Sequence, residues 1–307
     1  MEILEPIEPQ VQLTEKIILA EEIAPAERLK NHVYKLSHEI GDRSIFKYDK
    51  LNEAADYVTE EFRSYGYEVS FQPYSARGKV FKNIIVTKKG LENPDEILVL
   101  GAHYDSRNNP GADDNASAVA GLLEVARNFR DRKTTRTIKF IAFTNEEPPF
   151  FKKNNMGSRV YTRAAKEKGE NIKGAIILEM IGYYSNKPKS QFCPPILNRF
   201  YPNKGNFIGV TGHFKYVELV KDIVSSFKKA TNFPIEWIVA PSILIGIDFS
   251  DNWSFWKEGY PAVMVTDTAF YRNPHYHKQT DTYETLNYEA IAEVVTGITS
   301  SLTDLAN

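Results

Sequence analysis

Histidines, aspartates and glutamates collect in this sequence where its apolar runs end. The run EILVLGA (96–102) is followed at once by His103 and Asp105. IKFIAFTN (138–145) runs into the pair Glu146 and Glu147, and GAIIL (174–178) into Glu179. PAVMVT (261–266) leads to Asp267, His275, Tyr276 and His277, while Asp113 and Asp114 fall in a glycine-containing turn after the first run. Carboxylates gathered in one place repel each other unless they are protonated or bridged by cations. Two imidazoles with three carboxylates suit zinc, which accepts nitrogen and oxygen ligands and keeps an open position where it is catalytic. Five ligands exceed what one tetrahedral zinc of that kind uses. A carboxylate shared by two metals about 3.5–4 Å apart would use them all, and one left over would carry protons.

Taken singly, each of these features has an ordinary explanation. An Asp-Asp pair in a glycine turn is commonly turn chemistry plus a helix N-cap. A Glu-Glu pair at a strand end is commonly a solvated edge, and a lone histidine there a hydrogen-bonded loop residue. Joint occurrence at four strand ends favours a site. His32 and His38 in the first helix and His213 in a later loop have no acidic partners at ligand spacing and are read as structural. Trp253, Phe255 and Trp256 of SDNWSFW are read as core before substrate stacking. SHEIG lacks the second histidine of a zinc-helix motif, and no G-x-S-x-G elbow, phosphate loop or dinucleotide glycine turn is present.

The elements that must hold these residues follow from hydrophobic spacing. Leu29, Val33, Leu36 and Ile40 predict a helix stopped by Gly41, and Leu51, Ala54, Ala55, Val58 and Phe62 a second one ending at Gly66. Strand-like KNIIVT, EILVLGA, TIKFIAFT and GAIILEM then alternate with helical AGLLEVARNF and GSRVYTRAAKEKG. YVELVKDIVSSFKKA (helix), IEWIVA and PAVMVT (strands) and a helix from about Tyr288 complete the pattern. Strands apolar on consecutive positions have both faces covered. The expectation is an α/β fold: three layers, α/β/α, around a mixed, mostly parallel sheet. Residues 1–24 read as an N-terminal arm and 25–307 as one catalytic domain, with 184–206 an excursion rich in Pro, Asn and Lys. In such sheets ligands bind outside the carboxyl ends of the strands, where the polar residues lie.

At 307 residues and 42% hydrophobic, the chain can bury a substantial core. A formal net charge of −2 with no long basic run gives no case for nucleic acid. No stretch reaches the roughly 20 apolar residues of a membrane span. The acidic start MEILEPIEPQ has no apolar signal region, and Cys193 is the sole cysteine. The expected location is cytoplasmic. Oligomeric state is not legible.

Six stretches, GAHYDS, PGADDNAS, NEEPPF…MGS, LEMIGYY, SDNWSFW and NPHYHKQTDTYETL, occur in an order that resembles the co-catalytic zinc exopeptidase family. That family includes bacterial zinc aminopeptidases and glutamate carboxypeptidase II, with glutaminyl cyclases and the catalytically dead transferrin receptor ectodomain as relatives. The resemblance runs from about residue 28 to the C-terminus. It implies two Zn2+ per chain, with His103 as a ligand of one, Glu147 of the other, Asp113 as the bridging carboxylate, and Glu179 and His277 as the two remaining ligands. Glu146 is implied as general base, Tyr276 as donor to the oxyanion, and Asp105 as the carboxylate that orients His103. Glu179 stands where the family's aminopeptidases usually have Asp, and Asn252 where relatives often have His.

The implied activity is hydrolysis of a peptide or small amide at its amino end. A metallo-carboxypeptidase or amidohydrolase, a glutaminyl-cyclase-like transferase and a non-catalytic binding relative are the alternatives. A carboxypeptidase would need a cation for the terminal carboxylate, and Arg272 and Arg107 are the candidates in site-bearing loops.

Overall fold

The computed structural model describes residues 23–193, 200–242 and 244–307. Most of the expected N-terminal arm, residues 1–22, and the middle of the excursion, 194–199, lie outside the described residues. The strands are β1 (Val69–Ala76), β2 (Lys79–Lys88), β3 (Asn93–His103), β4 (Arg136–Phe143), β5 (Asn171–Glu179), β6 (Ile208–Gly212), β7 (Ile235–Val239) and β8 (Ala262–Thr266). The helices are α1 (Pro25–Tyr34), α2 (Tyr48–Ser64), α3 (Ala118–Phe129), α4 (Gly157–Glu167), α5 (Val217–Ala230), α6 (Asn252–Lys257) and α7 (Tyr288–Ala306). The strands form one sheet ordered β1-β2-β4-β3-β5-β8-β6-β7. Its centre, β4-β3-β5-β8, is parallel, and β1, β2 and β6 run antiparallel to their inner neighbours.

Two apolar layers flank the sheet because side chains alternate along each strand. Leu98, Leu100 and Ala102 of β3, with Phe140 and Leu178, face the larger layer, packed by α1, α2, α3, α5 and α7. Val99, Ile141, Phe143 and Ile177 face the smaller one, where Tyr161 of α4 and Phe255 of α6 pack. Phe255 and Trp256 are thus core residues, the latter donating its indole N–H to Ala262 O at 2.9 Å. Leu29, Val33, Leu36 and Ile40 are buried as their spacing predicts, although the helix widens to a π-type turn over Lys35–Ile40. Gly41 and Gly66 stop the first two helices with φ of 81° and 85°.

Register brings the polar ends level. His103 pairs across from Phe143, Gly101 from Ile177, and Glu179 from Thr266. Two residues separate the end of β4 from Glu146 and Glu147, so neighbouring strands deliver their following side chains to one edge.

Gly157 closes this edge. It begins α4 against the end of β4, its N–H donating to Thr144 O at 2.8 Å. A Cβ there would stand 2.3 Å from that oxygen and 2.4 Å from Asn83 Oδ1. Alanine's better helix propensity is worth about 1 kcal/mol at most, whereas overpacking costs about 1–3 kcal/mol. No rotamer relieves a clash with backbone, so the clash wins. Gly157→Ala should lower stability by about 1–2 kcal/mol in urea unfolding; a midpoint at or above wild type would show that α4 slides freely.

Candidate metal centre

The turn after β3 is held by buried polar contacts. Arg43 is fully buried, and its guanidinium donates to the carbonyls of Tyr104, Leu36, Gly41, Pro110 and Gly111 at 2.6–2.9 Å. Its own N–H donates to Ser106 Oγ at 2.9 Å. Burial lowers its pKa to about 10, which leaves it charged at neutral pH. Asp281 accepts the N–H groups of Asp113 and Asp114 at 2.9 and 3.2 Å. Asn115 ties the turn to β5, donating to Leu178 O at 3.2 Å and accepting Met180 N at 2.8 Å.

Two groups of side chains converge here, His103, Asp114 and Glu179 in one and Asp114, Glu147 and His277 in the other, with ligand atoms of each within 4.8 Å of one another. His103 Nε2 lies 3.3 Å from Glu179 Oε2 and 3.5 Å from Asp114 Oδ1. His277 Nε2 lies 3.1 Å from Asp114 Oδ2 and 3.2 Å from Glu147 Oε1. The two oxygens of one carboxylate therefore face the two groups.

That carboxylate is Asp114, which corrects the expectation of Asp113 as the bridge. Backbone angles at Asp114 (φ −105°, ψ 85°) and Asn115 (φ −135°, ψ 32°) are non-helical, and this kink turns the Asp114 side chain towards the imidazoles. Asp113 points away. It accepts Gly182 N at 2.8 Å, Ser117 Oγ at 3.1 Å and Asn273 Nδ2 at 2.6 Å. A DD pair offers two carboxylates one residue apart, and only the kink decides between them.

The other expected residues fall around this centre. Asp105 accepts the N–H groups of Glu146 and Glu147, both at 3.1 Å, and its Oδ1 is 3.5 Å from His103 Nδ1. It thus joins the ends of β3 and β4. Glu146 lies beside both groups, Oε2 being 3.9 Å from His103 Nε2. Ser250, which sequence reasoning missed, donates to Glu179 Oε2 at 2.6 Å. The Tyr276 ring stacks on His277 at 3.7 Å. Four residues lie apart from the groups: Asp267 accepts Tyr183 N and Ala269 N, His275 meets Thr280 Oγ1, Asn252 donates to Ile247 O, and Arg272 is buried against Gln191 and Phe207 O.

Electrostatics mark the cluster as short of positive charge. Burial, then the charge of Asp114, raises Glu147 to about 7. Burial raises Glu146 well above the carboxylate range, with Glu179 and Glu147 adding to it against the opposing charge of His103. Burial would also raise Asp114, but His103 and His277 overcome it and hold that carboxyl low. Burial would lower His277, yet Asp114 and Glu147 lift it to about 9. His103 Nε2 and Glu147 Oε1 are buried without a hydrogen-bond partner. Such orphans are rare in native proteins, and a metal ion of nitrogen and oxygen preference would satisfy both.

An apolar pocket opens beside Glu179 and Tyr276. It comprises about 910 Å3, open solvent at its mouth included, and Phe207, Trp237, Phe249, Phe270 and Met264 are among its walls. Among the described residues that line it there is no Lys, Arg or His. Gln191, Phe192 and Cys193 of the 184–206 excursion form one side, which gives that excursion a role in shaping the site.

Comparison with known proteins identifies relatives and a shared fold. An uncharacterized protein of Escherichia coli, YfbL, is 38% identical over 289 residues, 91% of this chain and 88% of that one. Fungal relatives named probable zinc metalloprotease match more narrowly, and the chain spans 22% to 30% of their length. The structure of a zinc aminopeptidase from Bacillus subtilis superposes with a TM-score of 0.74 at 15% identity, covering 93% of this chain and 96% of that one. A glutaminyl cyclase from Fimbriiglobus ruber superposes at 0.70 and 16% identity, covering 91% and 94%. The model of Peptidase family M28 matches residues 83–301, most of the sheet and every residue of both groups. This chain belongs to peptidase family M28.

Proposed function

We propose that this peptidase is a two-zinc aminopeptidase that removes large apolar residues from the amino end of peptides. The observation that carries the reading is the junction of pocket and cluster. The charged side chains among its described lining are Glu179, where it meets the cluster, and Glu236, and that lining contains no cation. A protonated amine is favoured in such a place, whereas a terminal carboxylate would be repelled. Arg272, the other candidate clamp in sequence, is bonded elsewhere and buried.

His103, Asp114 and Glu179 would hold one zinc and Asp114, Glu147 and His277 the other, which fits the orphaned His103 Nε2 and Glu147 Oε1. When bound, zinc supplies Lewis acidity that lowers the pKa of water and polarises a carbonyl. Glu146 takes the proton of the attacking water and delivers it to the leaving amine. Tyr276 donates a hydrogen bond to the oxyanion. Burial and then the charges of Asp114 and Glu147 push its pKa up, so it remains a neutral donor. Asp105 keeps Glu146 and His103 in mutual register through the three contacts given above.

Metal content separates the roles of the paired aspartates. Elemental analysis of the zinc-loaded protein should give two zinc ions per chain. Asp114→Ala should retain at most one tightly, while Asp113→Asn should keep both; equal loss from the two variants would reject Asp114 as the shared ligand.

Glu146→Gln removes the proton acceptor and none of the assigned ligands. Its zinc content should equal wild type while kcat falls about 10²-fold or more, the scale of a lost general base. A fully metallated variant with near-normal kcat would assign the base elsewhere.

Specificity tests the amino-end reading directly. Burying a large apolar side chain is worth about 1.5–3 kcal/mol, so a Phe or Leu anilide should exceed the Gly anilide in kcat/KM by about tenfold or more. Acetylating the amine of the Phe substrate should cost at least about tenfold. Equal turnover of the blocked substrate would refute amine recognition.

A further inference from the structure

We infer that Arg107 reads a substrate carboxylate one residue beyond the scissile bond, which makes short peptides with a free carboxyl end, dipeptides above all, the favoured substrates. This inference rests on the aminopeptidase reading and adds to it the opposite end of the substrate. Arg107 is exposed, and its Nη1 lies 2.5 Å from His277 Nδ1, the ring nitrogen turned away from Asp114 and Glu147. The guanidinium therefore stands one imidazole's width from the second ligand group. It has no carboxylate partner among the described residues; its remaining contact is its backbone N–H on Asn109 Oδ1.

The two flanks of the cluster thus differ in sign. The apolar pocket adjoins Glu179, a member of the first group, and its described lining has no cation. Arg107 adjoins His277, a member of the second, and does not line the pocket. A peptide with its amine and first side chain at the pocket runs its leaving half past the second group. One extended residue spans about 3.3–3.6 Å. The carboxylate of a dipeptide then comes within reach of Arg107, whereas a longer peptide places a neutral amide there. A guanidinium matches a carboxylate with two parallel N–H···O bonds, stronger than neutral pairs.

The test compares Phe-Ala, Phe-Ala amide and a Phe anilide on zinc-loaded wild type, Arg107→Gln and Arg107→Lys, with zinc content measured for each. Wild type should prefer Phe-Ala over its amide by about tenfold or more in kcat/KM. Arg107→Gln should bring that ratio near one, chiefly through KM for Phe-Ala, because the contact is made in ground and transition states alike. Arg107→Lys should keep part of the preference, as a point charge without the planar fork. If Arg107 only supported His277, the variants would lose zinc or slow every substrate equally, and the ratio would stand. An intact ratio in Arg107→Gln, or a wild-type ratio near one with the anilide still cleaved, overturns this inference and leaves the aminopeptidase reading in place. No turnover of any of the three by the loaded protein removes both.

Discussion

Buried negative charge is the constraint that organises this molecule. Nine buried carboxylates crowd the carboxyl edge of the sheet or back directly onto it: Asp105, Asp113, Asp114, Glu146, Glu147, Glu179, Asp251, Asp267 and Asp281. The buried guanidiniums facing them are Arg43 and Arg272. Two unit charges 4 Å apart at an effective dielectric near 20 interact by about 4 kcal/mol, so one uncompensated pair already rivals much of a domain's net stability of about 5–15 kcal/mol. Such a collection persists only if backbone donors, protons and cations share its charge. Burial is the largest cause of the upward pKa shifts at Glu146, Glu147 and Glu179.

Different members use different sources of compensation, and that sorts their roles. Asp105 and Asp281 are each occupied by two backbone N–H groups, and Asp113 by Gly182 N, Ser117 and Asn273. Carboxylates saturated by fixed donors can hold structure in place, but they have little left to offer a metal. Asp114, Glu147 and Glu179 instead face imidazoles at 3.1–3.5 Å. Arg43 completes the frame from the other side by saturating five carbonyl groups of the segments that carry the turn. A preorganised frame of this kind is what lets ligand atoms stay poised where mutual repulsion would otherwise scatter them.

Much of this was legible in the sequence because it depends on periodicity and strand ends. The apolar runs of β3, β4, β5 and β8 specify their strands, and His103, Glu147 and Glu179, at or shortly after the ends of three of them, are members of the two groups. Besides Ser250, three features escaped. β1, half of whose residues are exposed and which includes Pro73, has no clean alternation of apolar and polar types, and β6 is five residues with two glycines. Their strand character comes from pairing with β2 and β8, which is tertiary information. The carboxylate that faces both groups lies one residue from its expected place because sequence gives the order of Asp113 and Asp114 but not the backbone kink at Asp114 and Asn115. Arg43 gave no signal either: an arginine after Gly-Asp reads as solvated, and only the folded turn reveals five carbonyls around it.

The last step concerns why a symmetric pair of ligand groups would act on an asymmetric substrate. Each group has one imidazole and two carboxylates, Asp114 being common to both, so the centre itself does not distinguish one end of a peptide from the other. Direction has to come from what surrounds it. On one flank β6, β7 and the excursion build apolar walls ending at Glu179. On the other the turn after β3 presents Arg107 over His277. On the proposed reading the acidic flank favours an amine and the basic flank a carboxylate, through long-range charge as well as contact. The sheet edge fixes the chemistry, while the loops from its two sides fix the polarity. That division separates the two tasks in the chain: exposed loop residues such as Arg107 and Phe192 can change without disturbing the strand ends, whereas Asp105, which joins β3 to β4, cannot.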